Sequence, residues 1–160
     1  MPKLAKITPW LWFDDEAEAA AKYYTGIFKK SKILETTYYT SVGPRPEGMV
    51  MTVSFELEGQ QFVALNGGPE FTFDEAISFQ VLCDSQKEVD ELWTKLSQGG
   101  QEGQCGWLKD RFGLSWQIVP AGLYDAIADP DPKRSAAAMK AMLGMKKIDL
   151  AEMQRAADKA

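Results

Sequence analysis

The stretch Ile77-Ser78-Phe79-Gln80-Val81-Leu82-Cys83-Asp84-Ser85-Gln86-Lys87-Glu88 decides the architecture. Its first seven residues are β-rich, and Ile77, Phe79, Val81 and Cys83 are the more apolar alternate set. A strand from Ile77 to Cys83 would turn that set beneath a helix and leave Ser78, Gln80 and Leu82 on the opposite face. Ser85 followed three residues later by Glu88 has the spacing of a capping box, so the helix starts there. The same succession occurs earlier without gaps: Ile7 falls on Ile77, Thr8 on Ser78, Asp14 on Asp84, Asp15 on Ser85, Glu18 on Glu88 and Tyr23 on Trp93. Coincidence of strand end, capping box and helix aromatic reads as an internal duplication.

Each copy can be followed onward. In the first, Ile7 to Phe13 is a strand, with Pro9 marking an edge or an irregular start. Ala17, Ala20, Ala21, Tyr24 and Phe28 recur at helical spacing. Ile33 to Thr40 is β-rich, Val42 to Gly48 is a Pro- and Gly-broken loop, and Met49 to Leu57 alternates. Glu58-Gly59 turns the chain back along Gln61 to Asn66. In the second copy Val89, Leu92, Trp93 and Leu96 form the buried stripe of a helix that Gly99-Gly100 ends. Strands around Cys105 and Trp116 follow, joined at Asp110-Arg111-Phe112-Gly113, where Asp suits the start of a turn and Gly its end. In the last strand Leu114, Trp116 and Ile118 point one way, and Ser115, Gln117 and Val119 the other. The expected fold class is therefore α+β: two βαβββ modules, at 1–66 and 76–120, joined by a connector at 67–75. A helical extension follows at 121–160, with a cap and Pro at Asp131-Pro132 and a capping box and hydrophobic staple around Ile148, Asp149, Glu152 and Met153.

Composition narrows the function. The 160 residues are 45% hydrophobic and 26% charged, with a net charge of −5; this describes a globular chain rather than a disordered one. No basic cluster is present to bind phosphate, which argues against nucleic acid as a partner. No apolar run approaches the roughly 20 residues that span a bilayer, so no membrane partner is expected. The N-terminus lacks the apolar core of a signal peptide, and the expected location is the cytoplasm. Cys83 and Cys105 read as reduced thiols acting as small hydrophobes. Histidine is absent altogether. That removes Ser-His-Asp and Cys-His mechanisms within one chain and the commonest transition-metal ligand.

A duplicated strand-helix-three-strand unit resembles the vicinal-oxygen-chelate superfamily, which includes glyoxalase, extradiol dioxygenase and bleomycin-resistance proteins. The local text is similar to its PhnB-like branch, also labelled a demethylubiquinone methyltransferase domain. The stretches that carry this are Ile7 to Phe13, Ala64-Leu65-Asn66-Gly67-Gly68-Pro69, Glu75-Ala76-Ile77-Ser78-Phe79, Cys105 through Pro120, and Asp129-Pro130-Asp131-Pro132. The resemblance implies modules whose sheets curl into troughs, paired around a small-molecule or metal site, in a homodimer. Gln117 stands where the family carries its last-strand glutamate ligand, and the histidines of the two first strands have no counterpart here. No metal ligands and no cofactor are therefore assigned.

The trough-facing candidates are Thr8, Trp10 and Trp12 in the first module and Ser78, Gln80, Ser115 and Gln117 in the second, with Asn66 at the end of its sheet. Together they would line an aromatic and amide-rich pocket of the kind small molecules use. Each also has a structural reading: the tryptophans as core or dimer interface, the glutamines as satisfied amides. A methyl-transfer site is disfavoured, because the strand-to-helix joins Asp14-Asp15 and Asp84-Ser85 are acidic and lack the glycine turn of nucleotide-type sites. Three functions remain: a binding module for a small apolar or aromatic molecule, an enzyme of the same fold using Glu56, Glu58 or another carboxylate with a hard cation, and an interaction protein docking through its terminal helices. The first is the reading preferred.

Overall fold

A computed structural model describes residues 3–160. The chain divides into two compact units, the first ending at Phe73 and the second running Asp74–Ala160. The first contains β1 (Trp10–Phe13), α1 (Ala17–Ile27), β2 (Ser31–Tyr38), β3 (Val50–Leu57) and β4 (Gln60–Asn66). The second contains β5 (Phe79–Cys83), α2 (Gln86–Ser97), β6 (Gln101–Glu102), β7 (Trp107–Lys109) and β8 (Ser115–Pro120). It continues through α3 (Leu123–Ile127), α4 (Pro132–Leu143) and α5 (Leu150–Asp158). The four-stranded sheets run β1-β4-β3-β2 and β5-β8-β7-β6, so the duplication is realised strand for strand. Each first strand pairs parallel with the last strand of its own sheet, and the other neighbours are antiparallel. These are two βαβββ modules in an α+β chain, as the repeat implies.

Alternation places the cores. In the first unit α1 lays Ala17, Ala20, Ala21 and Tyr24 against Leu11, Phe13, Val53, Phe55 and Phe62, all buried. Small alanines let the helix approach closely, and the aromatic rings fill the remaining gap. Tyr24 stacks on Phe55 and Phe55 on Phe62, with centroids 6.1 and 5.4 Å apart. The β3–β4 hairpin closes on Glu58 and Gly59, both at positive φ, the pairing a two-residue hairpin turn with the right-handed strand twist requires. In the second unit Val89, Leu92, Trp93 and Leu96 of α2 meet a buried sheet face that includes Leu108, Trp116 and Ile118.

Several boundaries differ from the sequence expectation for identifiable reasons. β1 begins at Trp10, not Ile7; Ile7 is exposed, and the sheet first captures the chain where the Pro9 carbonyl accepts from Val63 N. β5 begins at Phe79, and Ile77 is exposed rather than beneath the helix. The expected capping box of α1 is not made. Its N-cap position is Glu16, without a side-chain cap, and Asn66 Oδ1 accepts from Ala17 N at 2.8 Å in its place. In α2 the box forms: Ser85 Oγ accepts from Glu88 N at 3.1 Å, and Glu88 reaches back to Asp84 N. Asp131 and Asp149 cap α4 and α5 as their spacing predicts.

The three C-terminal helices close a core of their own on the second unit. Val119, Leu123, Ala138, Ile148, Met153 and Ala157 are buried together. Cys105 N and Gly106 N donate to the carbonyls of Met145 and Lys146, and Gln86 bridges the Ile148 carbonyl and Leu150 N. Among the described residues no helix is long and apolar enough to cross a membrane.

Candidate functional site

The turn between β7 and β8 fixes the second unit's site. Asp110 is buried, and its Oδ1 accepts from Phe112 N at 2.8 Å and Leu114 N at 3.1 Å. Its Oδ2 accepts from Trp116 Nε1 at 3.0 Å. One carboxylate therefore satisfies two turn amides and the indole, and fixes which face of β8 looks at α2. Trp116 and Ile118 take that face, so Ser115 and Gln117 must take the other.

Register extends this second face across the sheet. Gln117 lies opposite Gln80 on one side and Trp107 on the other, and Ser115 lies opposite Lys109, itself opposite Gln101. Two rows result, Gln80-Gln117-Trp107 and Ser115-Lys109-Gln101. Gln117 Nε2 donates to Ser78 Oγ at 2.9 Å, which orients the amide with its carbonyl free of that bond. The Gln80 amide is held by Tyr124 Oη of α3. Val119, next along the same face, is buried among the C-terminal helices, which cover that end of the strand.

Toward the Ser115 end is a cavity of about 230 Å³ whose lining includes Glu75, Gln101, Glu102, Trp107, Lys109 and Ser115. Each of its charged side chains has a partner. The Lys109 ammonium holds the exposed Glu75 carboxylate, and that contact, aided by the backbone, keeps the Glu75 carboxyl below its usual value. Glu102 accepts from Trp93 Nε1 at 2.9 Å. Ser115 is 1% exposed, and its Oγ has no hydrogen-bond partner. A buried hydroxyl without a partner costs about 1–3 kcal/mol.

The first unit holds the other candidates. Thr8 Oγ1 donates to the Ala5 carbonyl in a local turn ahead of β1. Trp10 is 57% exposed on the face opposite Leu11 and Phe13. Trp12 is partly buried: its Nε1 donates to the Gly68 carbonyl at 2.9 Å, and its ring meets Phe71 edge-on at 5.0 Å. Gly67 lies directly under that indole, where any Cβ would overlap the ring. Asn66 is 2% exposed and fully engaged, with Oδ1 on Ala17 N, Nδ2 on the Val50 carbonyl at 3.0 Å, and its own carbonyl accepting from Tyr39 Oη at 2.6 Å. Ser78, Gln80, Ser115 and Gln117 thus share one face, whereas Asn66 serves the helix and sheet of its own module.

Trp107, Lys109, Gln101 and Glu75 were not among the residues singled out from sequence. The alternation Trp107-Leu108-Lys109 carries the signal for two of them, since buried Leu108 turns both neighbours outward. Glu75 has no local signal, because its place depends on a partner distant in sequence. Among the described residues no three Cys, Asp or Glu side chains gather as cation ligands. The polar groups on this face are three amides, two hydroxyls and an ion pair, suited to orienting a carbonyl, hydroxyl or carboxylate beside an indole.

The model of the family described as 3-demethylubiquinone-9 3-methyltransferase matches residues 5–119. Among solved structures, the chain is similar to a putative 3-demethylubiquinone-9 3-methyltransferase, PhnB protein, from Bacillus cereus. Identity is 36% and TM-score 0.67, over 73% of this chain and 100% of that one. A protein from Pseudomonas aeruginosa shares the fold at 19% identity and TM-score 0.60, over 73% and 98% of the two chains. A glyoxylase/bleomycin resistance protein/dioxygenase domain from Frankia sp. EAN1pec is more distant, at 17% identity and TM-score 0.47, over 74% and 93%. No curated protein matches.

Proposed function

Because this chain belongs to the 3-demethylubiquinone-9 3-methyltransferase family, in its PhnB-like form, we propose that it is a small-molecule-binding member. Its ligand is a small apolar or aromatic compound taken up in a histidine-free trough on the second unit's open sheet face. The observation that carries this reading is the cavity beside Trp107, with a buried Ser115 hydroxyl on its wall that has no partner in the protein. Small-molecule sites combine apolar or aromatic walls with a few placed polar groups, and the Gln80-Gln117-Trp107 row supplies both. The family name describes methyl transfer. In this chain the strand-to-helix joins are Asp14-Asp15 and Asp84-Ser85, and acidic joins without glycine support binding rather than a nucleotide-type cofactor at these turns.

The same reading has the chain acting as a homodimer in the cytoplasm. Exposed Trp10, Ile33, Tyr38 and Leu82 offer apolar sheet surface of the kind interfaces bury. Sedimentation equilibrium tests that part, and a monomer across the micromolar range would remove it.

Titration calorimetry against a set of neutral and charged aromatic metabolites tests the binding. Saturable binding at one site per chain, lost in Trp107→Ala and retained in Trp10→Ala, is expected. Flat titrations throughout, or binding indifferent to Trp107, would overturn it.

A further inference from the structure

The cavity at the end of β7 and β8 contains a carboxylate already, and that carboxylate belongs to the chain. We infer that the pocket's ligand is a small aromatic monocarboxylic acid, and that Glu75 occupies the acid's place on Lys109 until the ligand displaces it. This inference rests on the small-molecule reading above and names its ligand class.

Three observations converge. Lys109 and Ser115 are direct partners across an antiparallel pair and share one face, which puts their Cβ atoms about 4.5–5.5 Å apart. Two oxygens of one carboxylate can therefore accept from the ammonium and from the hydroxyl together. Only the ammonium has a carboxylate at present: Glu75, 60% exposed at its side chain, reaches it from the segment ahead of β5, and Ser115 Oγ remains without a partner. The internal carboxylate thus satisfies half of a two-donor site. An exposed ion pair is worth little net free energy, so exchanging Glu75 for a ligand carboxylate is close to balanced, and the Ser115 hydrogen bond and contact with Trp107 favour the ligand.

Charge and size restrict the acid. One lysine lines the cavity, with two glutamates beside it, Glu75 and Glu102. A dianion such as a phosphate monoester would face both carboxylates with a single cation in attendance, whereas a monoanion replaces Glu75 charge for charge. An apolar cavity of roughly 150 Å³ takes up benzene. The 230 Å³ here matches one ring with a short acid arm, set against the Trp107 indole.

The probes are benzoate, phenylacetate and 3-phenylpropionate, each beside its carboxamide, titrated calorimetrically into the full chain and into Glu75→Gln and Lys109→Met. The acids should bind the parent at least tenfold more tightly than the amides. Glu75→Gln, which removes the internal competitor from an exposed position, should tighten the acids about fivefold and leave the amides unchanged. Lys109→Met should weaken the acids at least tenfold and spare the amides. Acids and amides binding alike, with neither variant separating them, would overturn the carboxylate inference and leave the small-molecule reading standing. Absence of saturable binding by acids and amides in the parent and in Glu75→Gln would overturn both.

Discussion

Asn66→Ala separates a structural role from a binding one at a single position. The change removes the oxygen that accepts from Ala17 N and the amide that donates to the Val50 carbonyl. Loss of a helix N-terminal acceptor costs about 0.5–2 kcal/mol. A partly buried carbonyl deprived of its donor adds about 1 kcal/mol, the low end of the range for a group left unsatisfied. The expected destabilisation is about 1.5–3 kcal/mol, a large share of the 5–15 kcal/mol typical of whole domains. Asn66→Asp keeps the acceptor, and its negative charge suits a helix N-terminus, but it sets an oxygen against the Val50 carbonyl. It should cost about 1–2 kcal/mol. Urea unfolding followed by far-UV circular dichroism measures both, and amide exchange at Ala17 reports the cap itself. If Asn66→Ala unfolds within 0.5 kcal/mol of the parent, or destabilises it with Ala17 still protected, the capping argument fails. Unchanged stability with lost ligand binding would assign Asn66 to the pocket.

Burial, with the carboxylates of Glu88 and Asp84 adding, pushes the Cys83 thiol up to about 12 from an ordinary 9. Between those values the unfolded chain has lost the proton and the folded chain has kept it, so stability is fully present below pH 9 and falls as pH rises toward 12; urea midpoints from pH 7 to 10.5 should fall more steeply in the parent than in Cys83→Ala. In Cys105→Ser the remaining thiol should react with a disulfide reagent only at the rate of unfolding, and prompt modification under native conditions would contradict its burial. Gly100→Ala would drive a Cβ into the Lys109 carbonyl and the Asp110 backbone, which cannot rotate away. Overpacking of this kind costs roughly 1–3 kcal/mol, and a thermal midpoint unchanged within 1 °C would refute it. Asp149→Ala removes the cap of α5 and should cost about 1 kcal/mol, seen as faster amide exchange confined to that helix.

Local chemistry was legible and long-range substitution was not. Ser85, Asp131 and Asp149 cap the helices that their spacing announces, because donor and acceptor lie within one turn of each other. Asp15 has equal spacing to Glu18, and its helix is capped from the far end of the sheet; no window around residue 15 contains that competitor. Ile77 reads as strand, but Phe79 lies opposite Trp116. Counting back, Ile77 would need Leu114, which is committed to the Asp110 turn. The two sheet faces follow from alternation alone, and with them the shared side of Ser78, Gln80, Ser115 and Gln117. The cavity does not. It needs Glu75 from outside the sheet and Gln101 from the two-residue β6, which is too short to show an alternation.

The unequal starts of the two helices bear on how the chain assembles as it is made. α2 carries its start signal in adjacent residues and can nucleate as soon as Ser85 to Glu88 have emerged. α1 must wait for Asn66, 49 residues after the amide it serves, so its first turn and the closing of its sheet become one event. Ordering a loop of that length precedes any reward from the contacts it makes. The first module should therefore form as an all-or-none unit, slow to nucleate, while the second grows outward from a helix that can begin alone.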